Sequence, residues 1–248
     1  MRGVVGLLLA ACLLGMPACG GNGDETPTIV AATSLRRVLP ALIEAHGGTG
    51  FDVSYAGSGT LRRQVEAGAP CALAIFASPL HADRLVEQGH ADGTSRAVIA
   101  SNTLVLIGPQ GSAPRTFASL KDVPEDFRIA IGTPESVPAG HYAQEAFTNL
   151  GIWSDVKPRC IQAEDVAAVL TYVRRGEVDV GVAYGSELVG IDGVASLEVA
   201  SGDWAPHPLV VAVAVKDGPH PKAAAAFLTF LQSKEARAIF DRFGFGAP

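Results

Sequence analysis

The chain has 248 residues and a formal net charge of −6, with 48% apolar and 18% charged residues. This composition is typical of a packed globular protein, and the negative charge argues against nucleic acid as a partner. The length allows one large domain or two lobes.

The first residues are typical of an exported protein. Arg2 precedes an apolar run, and small residues lead up to Cys19. This order predicts a signal peptide over 1–18, because the apolar run is too short to span a bilayer. Cys19 and the Gly-rich stretch after it resemble a bacterial lipoprotein processing site, so we expect a lipid on Cys19 and a flexible tether over 19–27. Ordinary secretion with cleavage near Ala18 is the alternative.

Short apolar runs alternate with segments of helical periodicity along the rest of the chain. This alternation predicts an α/β fold in which mostly parallel sheets are covered by helices on both faces. The predicted strands are 28–32, 51–55, 73–76, 103–107, 128–131, 158–161, 178–184 and 209–215. The predicted helices are 35–43, 60–67, 79–88, 141–150, 166–175, 221–231 and 234–243. Pro40 lies inside the first helix and should kink it.

The same order of strands and helices restarts near the middle of the chain, which predicts two lobes. Passages between them are expected near Pro109 and Pro206. The predicted first lobe therefore comprises 28–108 and 206–248, and the second comprises 109–205. We expect a ligand cleft between the lobes, since clefts of this kind close around a ligand by hinge motion.

Four strand-to-helix junctions combine small residues with a helix start, at 32–34, 57–60, 138–140 and 163–166. The first N–H groups of a helix lack partners and lie at its positive end, so each junction can hold part of an anion. In α/β sheets such junctions gather where ligands bind. Singly, each has a structural explanation, since serines such as Ser34 and Ser58 commonly cap helices. Their joint occurrence indicates an anion site.

The same junctions carry a resemblance to a known family. The segments concerned are 31–35, 55–61, 64–70, 134–140, 163–166 and 182–186. In order and spacing they resemble the periplasmic molybdate-binding proteins of ABC transporters, over about 29–245. The resemblance implies a two-lobed solute-binding fold, molybdate or tungstate as the ligand and a membrane permease as the partner. We expect a periplasmic monomer that is not an enzyme and has neither a cofactor nor a metal-cation site.

The resemblance also implies a site without charged side chains. Ser34 and Ser58 would bind the oxyanion from the first lobe through hydroxyls and amides. The amides of Ala139 and Val166 and the hydroxyl of Tyr184 would complete the site from the second. Such donors replace the hydrogen bonds that a dianion loses with its water, whereas the hydrogen of a protonated oxyanion such as phosphate would find no acceptor.

Two other functions stay open at this point. A protein of the same architecture could bind sulfate, because molybdate and sulfate are both unprotonated tetrahedral dianions at neutral pH. An exported phosphate or sulfate ester hydrolase would also use helix-end amides, together with a nucleophile and a base. His141 is the histidine nearest to the predicted site. It stands in no recognisable pairing with a serine and a carboxylate, so the hydrolase is the less favoured of the two.

Some neighbouring residues carry expectations of their own. Asp165 should cap the helix that follows it, since a carboxylate that pointed into an anion site would be repulsive. Ala72 and Ser78 stand where the family pattern has aspartates, which leaves open the hydrogen bonding of that strand and the closure of the lobes. Cys71 and Cys160 could pair in an oxidising compartment or remain as two buried thiols.

Overall fold

The structure, a computed structural model, describes residues 26–47, 50–113 and 115–248. The predicted signal peptide and Cys19 lie outside the described residues. Within these three ranges, no helix has both the length and the apolar composition that crossing a membrane requires.

Ten strands and eight helices make up the described chain. The strands are β1 Thr28–Ala32, β2 Asp52–Ala56, β3 Leu73–Phe76, β4 Ala97–Ser101, β5 Leu104–Pro109, β6 Ile129–Gly132, β7 Cys160–Ala163, β8 Val180–Tyr184, β9 Val194–Val199 and β10 Leu209–Ala214. The helices are α1 Leu39–His46, α2 Ser58–Glu66, α3 Pro79–Glu87, α4 Pro138–Asn149, α5 Trp153–Val156, α6 Val166–Arg174, α7 Pro221–Leu231 and α8 Lys234–Arg242.

The strands form two five-stranded sheets with the same design. The first has the order β2-β1-β3-β10-β4 and the second the order β7-β6-β8-β5-β9. In each sheet three neighbouring strands are parallel, and the fourth, β10 or β5, runs antiparallel to both of its neighbours. The predicted α/β class is confirmed. Each sheet and its helices make one lobe.

Helices cover both faces of the first sheet. Successive strand residues point to opposite faces, and apolar residues on each face pack against a helix. Val30 and Phe76 pack in a buried cluster with Leu61 of α2. Ile29 lies in a second cluster with Leu42 of α1 and continues without a break into the core of the second lobe. Each such side chain contributes about 1.5–3 kcal/mol by leaving water.

The chain passes from the first sheet to the second at Asn102 and Thr103, between β4 and β5. The prediction that it passes near Pro109 is wrong, because β5 pairs along its length with β8 and β9 of the second sheet. Residues 104–108 therefore belong to the second lobe. The chain returns to the first sheet in the segment between β9 and β10.

The start of α1 also differs from the prediction. After β1 comes a short 3-10 turn, Thr33–Leu35, and α1 begins only at Leu39. Pro40 thus lies in the first turn of α1, where its missing N–H is not needed, and it does not kink the helix. The separate turn leaves Ser34 at the end of β1.

Candidate functional site

A small cavity lies between the lobes, at the carboxyl ends of strands from both sheets. It measures about 20 Å³, whereas sites for drug-sized molecules measure roughly 300–1,000 Å³. It therefore suits a small ion. Its lining residues are Ala32, Thr33, Ser34, Gly57, Ser58, Ala77, Val137, Pro138, Ala139, Asp165, Val166 and Tyr184. This lining includes all five residues predicted from the sequence.

The first lobe contributes two serines that are 7% and 0% exposed, Ser34 and Ser58. Neither is a helix cap, since the capping positions are Ala32 and Gly57 and neither cap uses a side chain. Ser58 Oγ accepts a hydrogen bond of 3.2 Å from the N–H of Ala77. Ser34 Oγ is buried and has no hydrogen-bond partner among the described residues. A buried hydroxyl in that state costs about 1–3 kcal/mol, so Ser34 is suited to meet a ligand.

The second lobe contributes main-chain donors at two helix starts. Ala139 is the second residue of α4 and Val166 is the first residue of α6. N–H groups in a first helical turn have no partner inside their helix. Neither amide donates to a main-chain carbonyl elsewhere in the described chain. Both residues are at most 3% exposed. The two amides are therefore shielded from bulk water as well as unpaired.

Tyr184, the last residue of β8, adds a hydroxyl from the second lobe. The side chain is 2% exposed, and its hydroxyl donates a long hydrogen bond of 3.4 Å to the carbonyl of Ala77. Burial raises the pKa of Tyr184 well above its usual value. The phenol therefore keeps its proton and remains a hydrogen-bond donor at neutral pH.

Helix starts, and not basic side chains, give the cavity its positive partial charges. Its described lining contains neither Lys nor Arg, and α2, α4 and α6 all begin there. The unpaired amides of helix starts carry partial positive charge. Asp165 caps α6, as predicted, because its Oδ1 accepts from the N–H of Ala168 at 2.9 Å. Its Oδ2 accepts from Thr33 Oγ1 at 3.2 Å, so both carboxylate oxygens have partners.

The two lobes touch around the cavity. The N–H of Gly59 donates to the carbonyl of Ser136 in the other lobe at 2.9 Å. A Cβ at position 59 would lie 2.7 Å from that carbonyl oxygen, closer than real Cβ contacts come. The hydrogen bonds Thr33–Asp165 and Tyr184–Ala77 also join the lobes. This arrangement is a closed one.

Sequence reasoning assigned no role to Thr33, Gly59 or Ala77 at this site. Thr33 and Gly59 stand beside predicted ligand residues, but their partners lie far away in the chain, with 132 positions between Thr33 and Asp165. The local pattern holds no signal for such pairs. Gly59, a glycine in the first turn of α2, is the one local hint, because it allows the main chain of Ser136 to approach closely.

The departures from the family pattern leave the local hydrogen bonding intact. Ser78 Oγ caps α3 by accepting from the N–H of Leu80 at 3.3 Å. The N–H of Ala72 donates to the carbonyl of Thr28 at 2.8 Å, which joins the start of β3 to β1. Neither aspartate of the family pattern is needed for these bonds.

The remaining candidates lie away from the cavity. His141 is exposed and borders a surface groove with Glu135 and Glu145. Cys71 and Cys160 are both free thiols, so the disulfide alternative is wrong; of the two thiols expected to be buried, Cys71 is buried and Cys160 is half-buried. Burial raises the pKa of Cys71 to about 11 and that of Cys160 to about 12, so both thiols stay protonated.

Two lobes of matching sheet order, with a cavity of helix starts between them, define a two-lobed solute-binding protein. The chain belongs to the family of bacterial extracellular solute-binding proteins, which it matches over residues 27–246. Members of this family are exported proteins that bind solutes.

Comparison with known proteins confirms the resemblance stated above. The chain is 36% identical to the molybdate-binding protein ModA of Escherichia coli K12, over 92% of this chain and 93% of that one. It is 34% identical to YvgL of Bacillus subtilis, provisionally named an ABC transporter substrate-binding lipoprotein, over 97% and 94% of the two chains. The periplasmic molybdate-binding protein of Azotobacter vinelandii matches the structure with a TM-score of 0.80, over 90% of this chain and 99% of that one. At 21% identity, that last match concerns the fold alone.

Proposed function

We propose that this protein captures molybdate, and tungstate with it, and delivers the ion to the permease of an ABC importer. The observation that carries the proposal is the cavity between the lobes, which has the size of a small ion and is bordered by neutral donors from both sides. The name of the Escherichia coli relative supports molybdate as the ligand.

In this proposal the five predicted residues hold the ion. The hydroxyls and amides of Ser34 and Ser58 bind from the first lobe, and the amides of Ala139 and Val166 with the hydroxyl of Tyr184 bind from the second. Each hydrogen bond to a charged oxygen is worth about 1.5–3 kcal/mol, and together they offset the loss of hydration. Because neutral donors leave no ion pair to break, the ion can still be released to the permease.

Binding and closure are one event in this account. The ion bridges donors that sit on different lobes, so it stabilises the closed form relative to an open form in which the donors face water. The permease recognises the closed form. The protein acts as a monomeric carrier without catalytic function, and none of the described lining residues is a histidine or a cysteine.

The proposal includes anchoring to the membrane through a lipid on Cys19. The order of basic, apolar and small residues before Cys19 supports it, as does the name of the Bacillus subtilis relative. A tether over 19–27 would leave the lobes free to meet the permease. Mass spectrometry of the protein from membranes tests this part, since diacylation adds a fixed mass to Cys19 and cleavage near Ala18 without lipid does not.

A melting scan of residues 26–248 with a panel of oxyanions tests the ligand. Molybdate and tungstate should raise the melting temperature, because a ligand at 1,000 times its Kd adds about 4 kcal/mol of stability. Phosphate, which carries a proton at neutral pH, should not. A competitive titration then separates molybdate from sulfate. If sulfate at equal concentration displaced molybdate, the protein would be a sulfate carrier of the same architecture.

A further inference from the structure

One side-chain hydrogen bond joins the lobes directly beside the cavity. Thr33 Oγ1 donates to Asp165 Oδ2 at 3.2 Å across 132 positions of sequence. Thr33 precedes Ser34 in the turn after β1, and Asp165 precedes Val166 at the start of α6. The bond therefore connects the chain neighbours of two proposed ligand residues, one from each lobe.

The two carboxylate oxygens of Asp165 accept hydrogen bonds from different lobes. Oδ1 accepts from the N–H of Ala168 at 2.9 Å and so fixes the carboxylate to the start of α6. Oδ2 is left to reach across to Thr33, whose side chain is buried. A carboxylate at the edge of an anion site repels the anion, and this repulsion weakens binding unless favourable contacts of the carboxylate offset it. The hydrogen bond that Oδ2 accepts from Thr33 of the first lobe is such a contact.

The other polar contacts between the lobes here differ in kind. The bond from Gly59 to Ser136 is main chain to main chain, and the bond from Tyr184 to Ala77 is long and uses a proposed ligand residue. The Thr33–Asp165 bond uses two side chains that donate nothing to the ion. It can be removed without changing any of the proposed ligand donors.

We propose that the Thr33–Asp165 hydrogen bond is an interlobe clasp that sets how long the bound oxyanion is retained. This inference rests on the proposed function, because it concerns the release of that ion. Opening must break the clasp, whereas in the open form water satisfies both groups. Loss of the clasp therefore speeds dissociation and has little effect on association, in keeping with interface contacts in general. Thr33 and Asp165 are positioning residues.

Three substitutions isolate the clasp. Thr33→Val keeps the shape and removes the donor, and Thr33→Ser keeps the hydroxyl. Asp165→Ser keeps a capping side chain for α6 but is too short to reach Thr33. Thr171→Val is the matched control, because the hydroxyl of half-buried Thr171 donates to the carbonyl of Ala167 in its own helix and, within the described residues, makes no bond to the other lobe.

The measurement is release of radiolabelled molybdate into an excess of unlabelled molybdate, with the melting temperature of each ligand-free variant beside it. We expect Thr33→Val to release molybdate about ten times faster, which corresponds to one hydrogen bond of about 1.4 kcal/mol. Asp165→Ser should also release it faster, but by less than tenfold, because this substitution removes a negative charge that opposes the anion as well as the clasp. Thr33→Ser and Thr171→Val should release it at the wild-type rate. The double variant should be no faster than either single one, because both remove the same bond. Ligand-free melting temperatures should not change.

Each part of this pattern can fail separately. Release from Thr33→Val at the wild-type rate overturns the clasp, as does a double variant whose effect is the sum of the single effects. A ligand-free Thr33→Val protein that melts early, and is not rescued by serine, makes the bond a structural one and also overturns the clasp. If the wild-type protein retains no molybdate, the proposed function fails and the clasp with it. Retention by the wild type therefore distinguishes the two failures.

Discussion

The two walls of the cavity present hydrogen-bond donors of different origin. The first wall belongs to the first lobe and offers the hydroxyls of Ser34 and Ser58. The second wall belongs to the second lobe and offers the amides of Ala139 and Val166, with one hydroxyl from Tyr184. In the proposed site, the hydroxyl donors of the first wall depend on residue identity, although the amides of the same two serines do not. The donors of the second wall depend mainly on where α4 and α6 begin. A single substitution can therefore alter the first wall much more easily.

The largest expected effect comes from a charge on the first wall. Ser58→Asp places a carboxylate against the bound dianion at a position that is 0% exposed, so molybdate should no longer raise the melting temperature. We expect affinity to fall by about a thousandfold or more, on the scale of several kcal/mol for an unpaired buried charge. Circular dichroism checks that the variant is folded. A shift that survives would remove Ser58 from the site.

The next effect concerns contact between the walls. Gly59→Ala adds a methyl group whose carbon would lie 2.7 Å from the Ser136 carbonyl oxygen. This distance is too short, so the lobes cannot close fully. Molybdate affinity by calorimetry should fall about a hundredfold, because both walls can no longer bind at once. Thr60→Ala, one residue further along α2, should bind as the wild type does. Equal affinities for the two variants would mean that closure does not require this contact.

A third prediction concerns Glu187, a buried residue of the second lobe three positions after Tyr184. Its side chain is 8% exposed and one carboxylate oxygen is buried without a partner in the described chain. Burial raises its pKa from 4.5 to about 8, with Asp165 adding to the rise and Arg37 and Arg36 of the first lobe opposing it. The folded protein thus holds a proton on Glu187 at neutral pH that the unfolded chain has lost.

The sign of the effect on stability follows from these two pKa values. The contribution of Glu187 is complete below 4.5 and is lost as the pH rises to about 8. Glu187→Gln stays neutral, so from about pH 5 to about pH 8 its stability should improve relative to wild type by about 3.5 kcal/mol. Urea unfolding of both proteins at the two pH values measures this. Parallel pH profiles would show that Glu187 is ionised in the fold.

The smallest predicted effects compare the two serines of the first wall. Ser34→Ala and Ser58→Ala should each weaken molybdate binding about tenfold, since each removes one hydrogen bond to the ion. Their ligand-free stabilities should differ. Ser58→Ala leaves the N–H of Ala77 without its partner and should cost about 1 kcal/mol, whereas Ser34→Ala removes a hydroxyl that has none and should cost nothing. Urea unfolding of the two ligand-free variants measures these stabilities. A larger loss of stability for Ser34→Ala than for Ser58→Ala would contradict the hydrogen bonding described for the two serines.

Much of the fold was predictable because strands and helices alternate with clear periodicity. The strands β4 and β9 were not predicted, since both lie at sheet edges and only the first residue of β9 is buried. The passage near Pro109 was misplaced because a Gly-Pro dipeptide ends β5 and looks like a linker. Which sheet β5 joins depends on pairing with β8 and β9, which no local pattern encodes.

Some features of the candidate site were likewise predictable from the sequence and others were not. Helix starts can be recognised locally, so the residues around Ala139 and Val166 were predictable from small residues at strand-to-helix junctions. The pairing of Thr33 with Asp165 was not, since it depends on how the lobes meet. The unpaired hydroxyl of Ser34 likewise appears only in the structure, because from the sequence a cap is the ordinary role for that serine.

Anomalous diffraction from crystals grown with molybdate tests the central claim most directly, because molybdenum marks its own position. We expect one molybdenum peak in the cavity between the lobes, with the molybdate oxygens within hydrogen-bond distance of the Ala139 and Val166 amides and of the Ser34, Ser58 and Tyr184 hydroxyls. An empty cavity, or an ion held by arginine or lysine elsewhere on the protein, would contradict it.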